Sequence, residues 1–207
     1  MKRDSIFLYA PIYLALIIPT PGRFVFGFTI FMEMILLTLV GTLMNSLIKK
    51  LDLEKMKTAI MLIVVIATTI LFRQILILIC AEIALTLGFV LYLPPISLFL
   101  IGILFKENND PIKEKLKNNM SIVTVFSVVG LLFFLIRDLL GYGTFTFIGP
   151  NHQILEKILI TSDNWAIFSF LASIPGALLF AGILLYIAIL IRKKIHIIRN
   201  AEGEIEE

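Results

Sequence analysis

The residues of this sequence that could do chemistry are few, and they stand far apart. Glu33 is the single charge in the apolar run from Phe24 to Ile48. A carboxylate at the centre of a bilayer costs about 3 kcal/mol or more. Glu33 is therefore either an ion or proton relay, or a protonated or paired group inside a helix bundle. Arg73 lies toward the end of one apolar segment, where its long stem can carry the guanidinium to an interface. Glu82 suits an outer turn, solvated or paired with an arginine. Arg137 and Asp138 are adjacent at the end of another run, and a structural ion pair, a loop anchor and a chemical role all remain open. His152 and His196 are isolated and lack the spacing of metal ligands. Cys80 is the sole cysteine, which excludes an internal disulfide or a thiolate cage made by this chain alone. It reads as a small apolar residue. The sequence contains no nucleophile triad, Gly-rich phosphate loop or metal constellation. It is not expected to be an enzyme by itself.

The elements that carry these residues follow from composition. Of 207 residues, 59% are hydrophobic and only 16% charged, and the mean hydropathy is +0.99. A domain this small cannot bury so much apolar surface from water, and a disordered chain would be far more polar. A polytopic membrane protein remains, each helical span using about 20 apolar residues. The net charge of +3 does not indicate nucleic acid, because the basic residues flank apolar runs, as orientation signals do. No cleavable signal peptide is expected, since Pro11, Pro19 and Pro21 punctuate the run behind Lys2 and Arg3.

Six spans are expected. Ile6 to Thr20 is short and interrupted by Pro11, so it reads as a broken helix. Phe24 to Ile48 is a full span. Thr58 to Phe105 holds 48 residues and would be about 72 Å long as one helix. It must be two spans with a reversal near Cys80 to Gly88, the second broken at Pro94-Pro95. A fifth span runs from Met120 to Leu140, followed by a loop from Gly141 to Asn164. A sixth runs from Trp165, an interfacial aromatic, to Ile191. With both termini cytoplasmic, 14 of the 18 Lys and Arg fall on the cytoplasmic side. The expected fold is all-α and a single membrane domain over 1–207, with a cytoplasmic tail over 192–207.

Pro11 to Leu16 and Pro95 to Leu100 share the pattern P-I-x-L-x-L, each in a broken span and three spans apart. Copies so placed have opposite orientations, the sign of an inverted repeat, here about 1–80 and 81–195.

Arg137-Asp138-Leu139-Leu140-Gly141-Tyr142-Gly143-Thr144 resembles the Arg-Glu-apolar-apolar-Gly-x-Gly-Thr segment of one membrane family. Its members are the E subunit of the Rnf electron-transport complex and the D subunit of the sodium-pumping NADH:quinone reductase. Ser173-Ile174-Pro175-Gly176-Ala177, Leu87-Gly88 and Thr161 to Asn164 are similar to further stretches of that family. The resemblance implies six spans in two inverted repeats and a place in the bacterial inner membrane. It also implies a homologous membrane partner of opposite orientation, alongside other membrane subunits of the complex. In the family, a cysteine in each broken helix, with two more from the partner, holds a [2Fe–2S] cluster. Here those positions are Ala10 and Leu98, or Leu100 or Ile101 in shifted registers, and none can bind iron. The expectation is a subunit that couples electron transfer to ion movement but holds no cofactor itself, any flavin or iron–sulfur cluster belonging to partners. The alternative is a diverged member acting as a transporter or structural scaffold without a redox role.

Overall fold

The computed structural model describes residues 13–14, 16–104, 111–150, 152–159 and 169–203. The chain is mostly helical. After helical residues at Tyr13, Leu14, Leu16 and Ile17 come α1 (Phe24–Lys50), α2 (Lys57–Ile79) and α3 (Ala81–Leu87). A 3-10 turn over Gly88–Tyr92 leads to α4 (Leu93–Ile96) and α5 (Leu98–Leu104). Then follow α6 (Ile112–Tyr142), strands β1 (Thr144–Ile148) and β2 (Ile154–Ile158), a 3-10 turn over Ser169–Ala172, and α7 (Ile174–Gly203). Four stretches are long and apolar enough to cross a membrane: Phe24–Lys50, Glu54–Ile79, Ala81–Leu104 and Ile112–Tyr142. A shorter apolar helix covers Ile174–Ile187.

The long run between Thr58 and Phe105 is indeed split. Cys80 is extended (φ −157°, ψ 97°) and ends α2. The limb beyond it turns back. At one end Asn45 Nδ2 donates to the Leu104 carbonyl at 2.8 Å. At the other, His152 Nδ1 lies 2.6 Å from the Ile79 carbonyl, and Ile154 N–H donates to Glu82 Oε2 at 3.2 Å. The return limb is itself broken twice. Gly88 has φ +45°, a conformation that suits a residue without Cβ. Pro94 and Pro95 then withhold two helical N–H donors, and Ser97 is extended (ψ 138°).

Three expectations are corrected. The segment after Gly141 is not all loop, so the fold is not purely α: β1 and β2 pair antiparallel, Thr144 opposite Ile158 and Ile148 opposite Ile154. The cause is the alternation Thr144-Phe145-Thr146-Phe147, period two and rich in β-formers. Second, the Met120 to Leu140 run is part of a longer helix, α6, which begins at Ile112 because the basic stretch before the run continues the same helix. Third, α7 begins at Ile174 rather than at Trp165, and it continues through the basic tail to Gly203. Ser173 explains that start. Its Oγ accepts from Gly176 N–H at 3.2 Å, an N-cap, and Pro175 falls in the first turn, where its missing N–H costs nothing. Trp165, Ala10 and Thr161 to Asn164 lie outside the described residues.

Two apolar clusters form the interior. The larger, toward the hairpin, joins Ile17, Phe26, Ile30, Phe31, Leu76, Leu91, Phe133 and Phe134. The smaller, toward the opposite end, joins Leu37, Ile48, Met61, Val65, Leu100 and Leu104. Helices α1 and α6 meet closely because Gly27 leaves room for the Phe134 ring. Lower down, Asn119 Nδ2 donates to Thr42 Oγ1 at 3.0 Å.

The hairpin and the α1–α2 connection therefore stand at opposite ends of the bundle. In a Cys80→Ala background, an impermeant maleimide should reach Lys157→Cys from one face of sealed vesicles. Lys50→Cys should label from that face only after permeabilisation. Labelling of both from one side would contradict the arrangement.

Candidate functional site

Arg137 and Asp138 lie near the end of α6, and both are fully buried. Neighbours in a helix point about 100° apart, so they serve different elements. Arg137 gathers carbonyls. Its Nε donates to Leu171 O at 3.1 Å, Nη1 to Thr20 O at 3.1 Å, and Nη2 to Ala172 O at 3.0 Å. The guanidinium also stands over the rings of Phe133 and Phe134 at 5.6 and 5.7 Å. These carbonyls belong to the turn following the first helical segment and to the 3-10 turn that leads into α7. A cation is favourable at such C-terminal ends.

Asp138 gathers donors. Its Oδ2 accepts from Phe24 N–H at 3.0 Å, Thr146 N–H at 2.9 Å and Thr146 Oγ1–H at 2.7 Å. Its Oδ1 accepts from Thr144 Oγ1–H at 2.9 Å. Thr146 Oγ1 in turn accepts from Val25 N–H at 3.3 Å. No side chain of the Arg23 cap serves α1, and this distant carboxylate does so in its place, at the positive end of the helix dipole. Beside it, Arg23 pairs with Glu156 of β2 and stacks over the Tyr142 ring.

The glycines of this segment fit the same construction. Gly143 takes the left-handed conformation (φ 66°) that ends α6 and releases the chain into β1. Gly141 admits the backbone of Ala172, and a Cβ at Gly176 would collide with the Phe170 carbonyl. Arg137, Asp138, Gly141, Gly143, Thr144 and Gly176 thus meet in one place, with Pro175 beside them.

Glu33 is elsewhere, on α1, and is fully buried. Both its carboxylate oxygens lack a hydrogen-bond partner among the described residues. Its polar neighbour is Thr69 of α2, whose buried hydroxyl likewise makes no hydrogen bond of normal length among the described residues. Sequence reasoning singled out Glu33 but not Thr69. A threonine in an apolar span is unremarked until the helix that faces it is known. Arg73 is half-exposed on α2, and Glu82 and His152 hold the hairpin against the α2–α3 reversal. An apolar cleft of about 280 Å³ opens between Phe24, Val25 and Phe28 of α1 and Phe147 and Ile148 of β1.

The positions where the resemblance would place cluster ligands hold residues that do not suit a [2Fe–2S] group. Leu100 is packed in the smaller hydrophobic cluster, a hydrocarbon with no lone pair to offer iron. Cys80 is fully buried at the hairpin end of α2, in the larger cluster. Among the described residues, no three His, Cys, Asp or Glu side chains converge as a metal centre.

Truncating Asp138 to Ala leaves four donors without their acceptor. By the cost of breaking a buried charged network it should lower stability by about 3–5 kcal/mol, read as thermal unfolding in detergent. Thr144→Val removes one bond and should cost about 1 kcal/mol. Equal effects of the two would contradict the network.

No protein-family model matches the chain, and no curated protein matches it.

Proposed function

We infer that this chain is an integral-membrane subunit of an Rnf-type or sodium-pumping NADH:quinone reductase-like complex, one that couples electron transfer to ion translocation. The observation that carries the reading is the union of the Arg137-to-Thr144 segment with Ser173 to Ala177. These are two stretches where the sequence resembles that family, and they are bound to one another through Arg137 and the 3-10 turn before α7. Residues that resemble a family motif have interlocking structural jobs here, which supports the reading. The broken return limb at Gly88 and Pro94-Pro95 is a second support, because discontinuous helices are what such inverted-repeat folds use at their centre.

In this reading the chain crosses the bacterial inner membrane six times, in two inverted repeats, with both termini cytoplasmic. The hairpin end faces outward. The partner is a homologous subunit of opposite orientation, and further membrane subunits supply the flavins and any iron–sulfur cluster. Electrons pass outside this chain, since its own cluster positions are apolar. The apolar face of α2, with Ile63, Ile66, Ile70, Leu71 and Leu78 exposed, is available to that partner and to lipid.

The test is purification in mild detergent from a strain carrying a tagged copy. At least one other polytopic protein should come with it. Inverted vesicles should show ion uptake driven by NADH or reduced ferredoxin, and deletion of the chain should abolish it. A stable monomer, with driven uptake intact after deletion, would defeat the reading.

A further inference from the structure

Glu33 and Thr69 stand close to where the two apolar clusters meet. On α1, Ile30 and Met34 belong to the larger cluster and Leu37 to the smaller, so Glu33 lies within one turn of the boundary, on the larger cluster's side. On α2, Leu76 belongs to the larger and Val65 to the smaller, with Thr69 between. The two residues lie at matching depths. Glu33 is about 14 Å into α1 from its hairpin end, and Thr69 about 15 Å into α2 from the same end, at 1.5 Å per residue. The return limb shows the same division. Leu91 is in the larger cluster and Leu100 and Leu104 in the smaller, with Ile103 between those two turned to the larger, and the break at Pro94 to Ser97 falls between Leu91 and Leu100. That break packs against both α1 and α2. A carboxylate and a hydroxyl without hydrogen bonds thus stand at one level on α1 and α2, with a break in the return limb packed against both helices.

These are the donors that a hard monovalent cation takes: oxygen only, with one negative charge to balance its own. A buried carboxylate with no partner must be neutralised, by a proton or by a bound cation. The Thr69 hydroxyl oxygen serves either state, accepting from the O–H of a neutral Glu33 or giving a lone pair to a bound cation. Half-helix ends and unwound carbonyls coordinate Na⁺ or H⁺ in membrane transporters for the same physical reason.

We propose that Glu33, Thr69 and the break at Pro94 to Ser97 form an exchangeable monovalent-cation site, at which one Na⁺ replaces the proton of Glu33. The exchange balances: one Na⁺ enters, one H⁺ leaves, and the carboxylate stays neutralised throughout. The site deepens the ion-coupling part of the function proposed above and rests on the membrane placement of that reading.

Dicyclohexylcarbodiimide tests it, since this reagent attacks protonated carboxyl groups in apolar surroundings. The purified full chain, in detergent with whatever partners accompany it, is treated in choline chloride and in NaCl. Peptide mass spectrometry then locates the adduct. The expected result is an adduct on Glu33, absent in Glu33→Gln, that Na⁺ suppresses and choline does not. At ten times its dissociation constant, Na⁺ should slow labelling about tenfold by mass action. Thr69→Val keeps the shape of the side chain and should raise the half-protecting Na⁺ concentration about fivefold, the loss of one neutral oxygen ligand. Labelling of Glu33 that is indifferent to Na⁺, or no adduct on Glu33 in either salt, would overturn the site. Unchanged protection in Thr69→Val would remove the threonine from it. The readout requires no electron donor and no particular partner. Its failure leaves the subunit reading standing, and loss of driven uptake leaves the site standing.

Discussion

A buried Arg137–Asp138 dipeptide organises the hairpin end of this protein. One residue collects the carbonyls on which chain segments end, and the other collects the N–H and hydroxyl groups on which segments begin. Opposite charges one residue apart on α6 thus sort four segments by backbone polarity. A lone buried guanidinium would be very costly, and so would a lone carboxylate. Each is acceptable here because its partners are fixed polar groups that would themselves be unsatisfied in an apolar interior. Removing either residue therefore strands several groups at once. The close contacts at Gly141 and Gly176 follow from the same constraint, since the carbonyls reach Arg137 only if the backbone of the 3-10 turn lies hard against α6.

Away from that end, the described helices pack largely through apolar side chains. Asn45 to Leu104 and Asn119 to Thr42 fasten the opposite end. Between the two fastened ends lies Glu33, to whose carboxylate the described residues supply no hydrogen bond. The bundle is thus pinned at both ends and left with unmet polar capacity near its middle. An intramembrane ionisable group with no partner is the feature on which the ion-coupling role proposed above rests.

Much of this was legible in the sequence. Hydropathy located the long spans, and length alone required the reversal that falls at Cys80, because one helix would have been twice too long. The breaks at Gly88 and Pro94-Pro95 follow from residue type. The hairpin was missed, although Thr144 to Phe147 alternates with period two. A five-residue strand next to glycines is easily lost beside runs of twenty apolar residues. The function of Arg137 and Asp138 was not legible either. Their partners are mainly backbone groups at Thr20, Phe24, Thr146, Leu171 and Ala172, and a backbone group leaves no signature in the sequence. Thr69 was invisible for a related reason: its meaning depends on the pairing of α1 with α2.

The claim that one carboxylate caps α1 and anchors β1 at the same time can be tested amide by amide. Hydrogen–deuterium exchange of the protein in lipid nanodiscs, with Asp138→Asn compared to the parent chain, resolves it. The account predicts faster exchange at Phe24, Val25 and Thr146 together, with the amides from Leu37 to Ile48 unchanged. Faster exchange at β1 alone, with Phe24 and Val25 as protected as before, would contradict it.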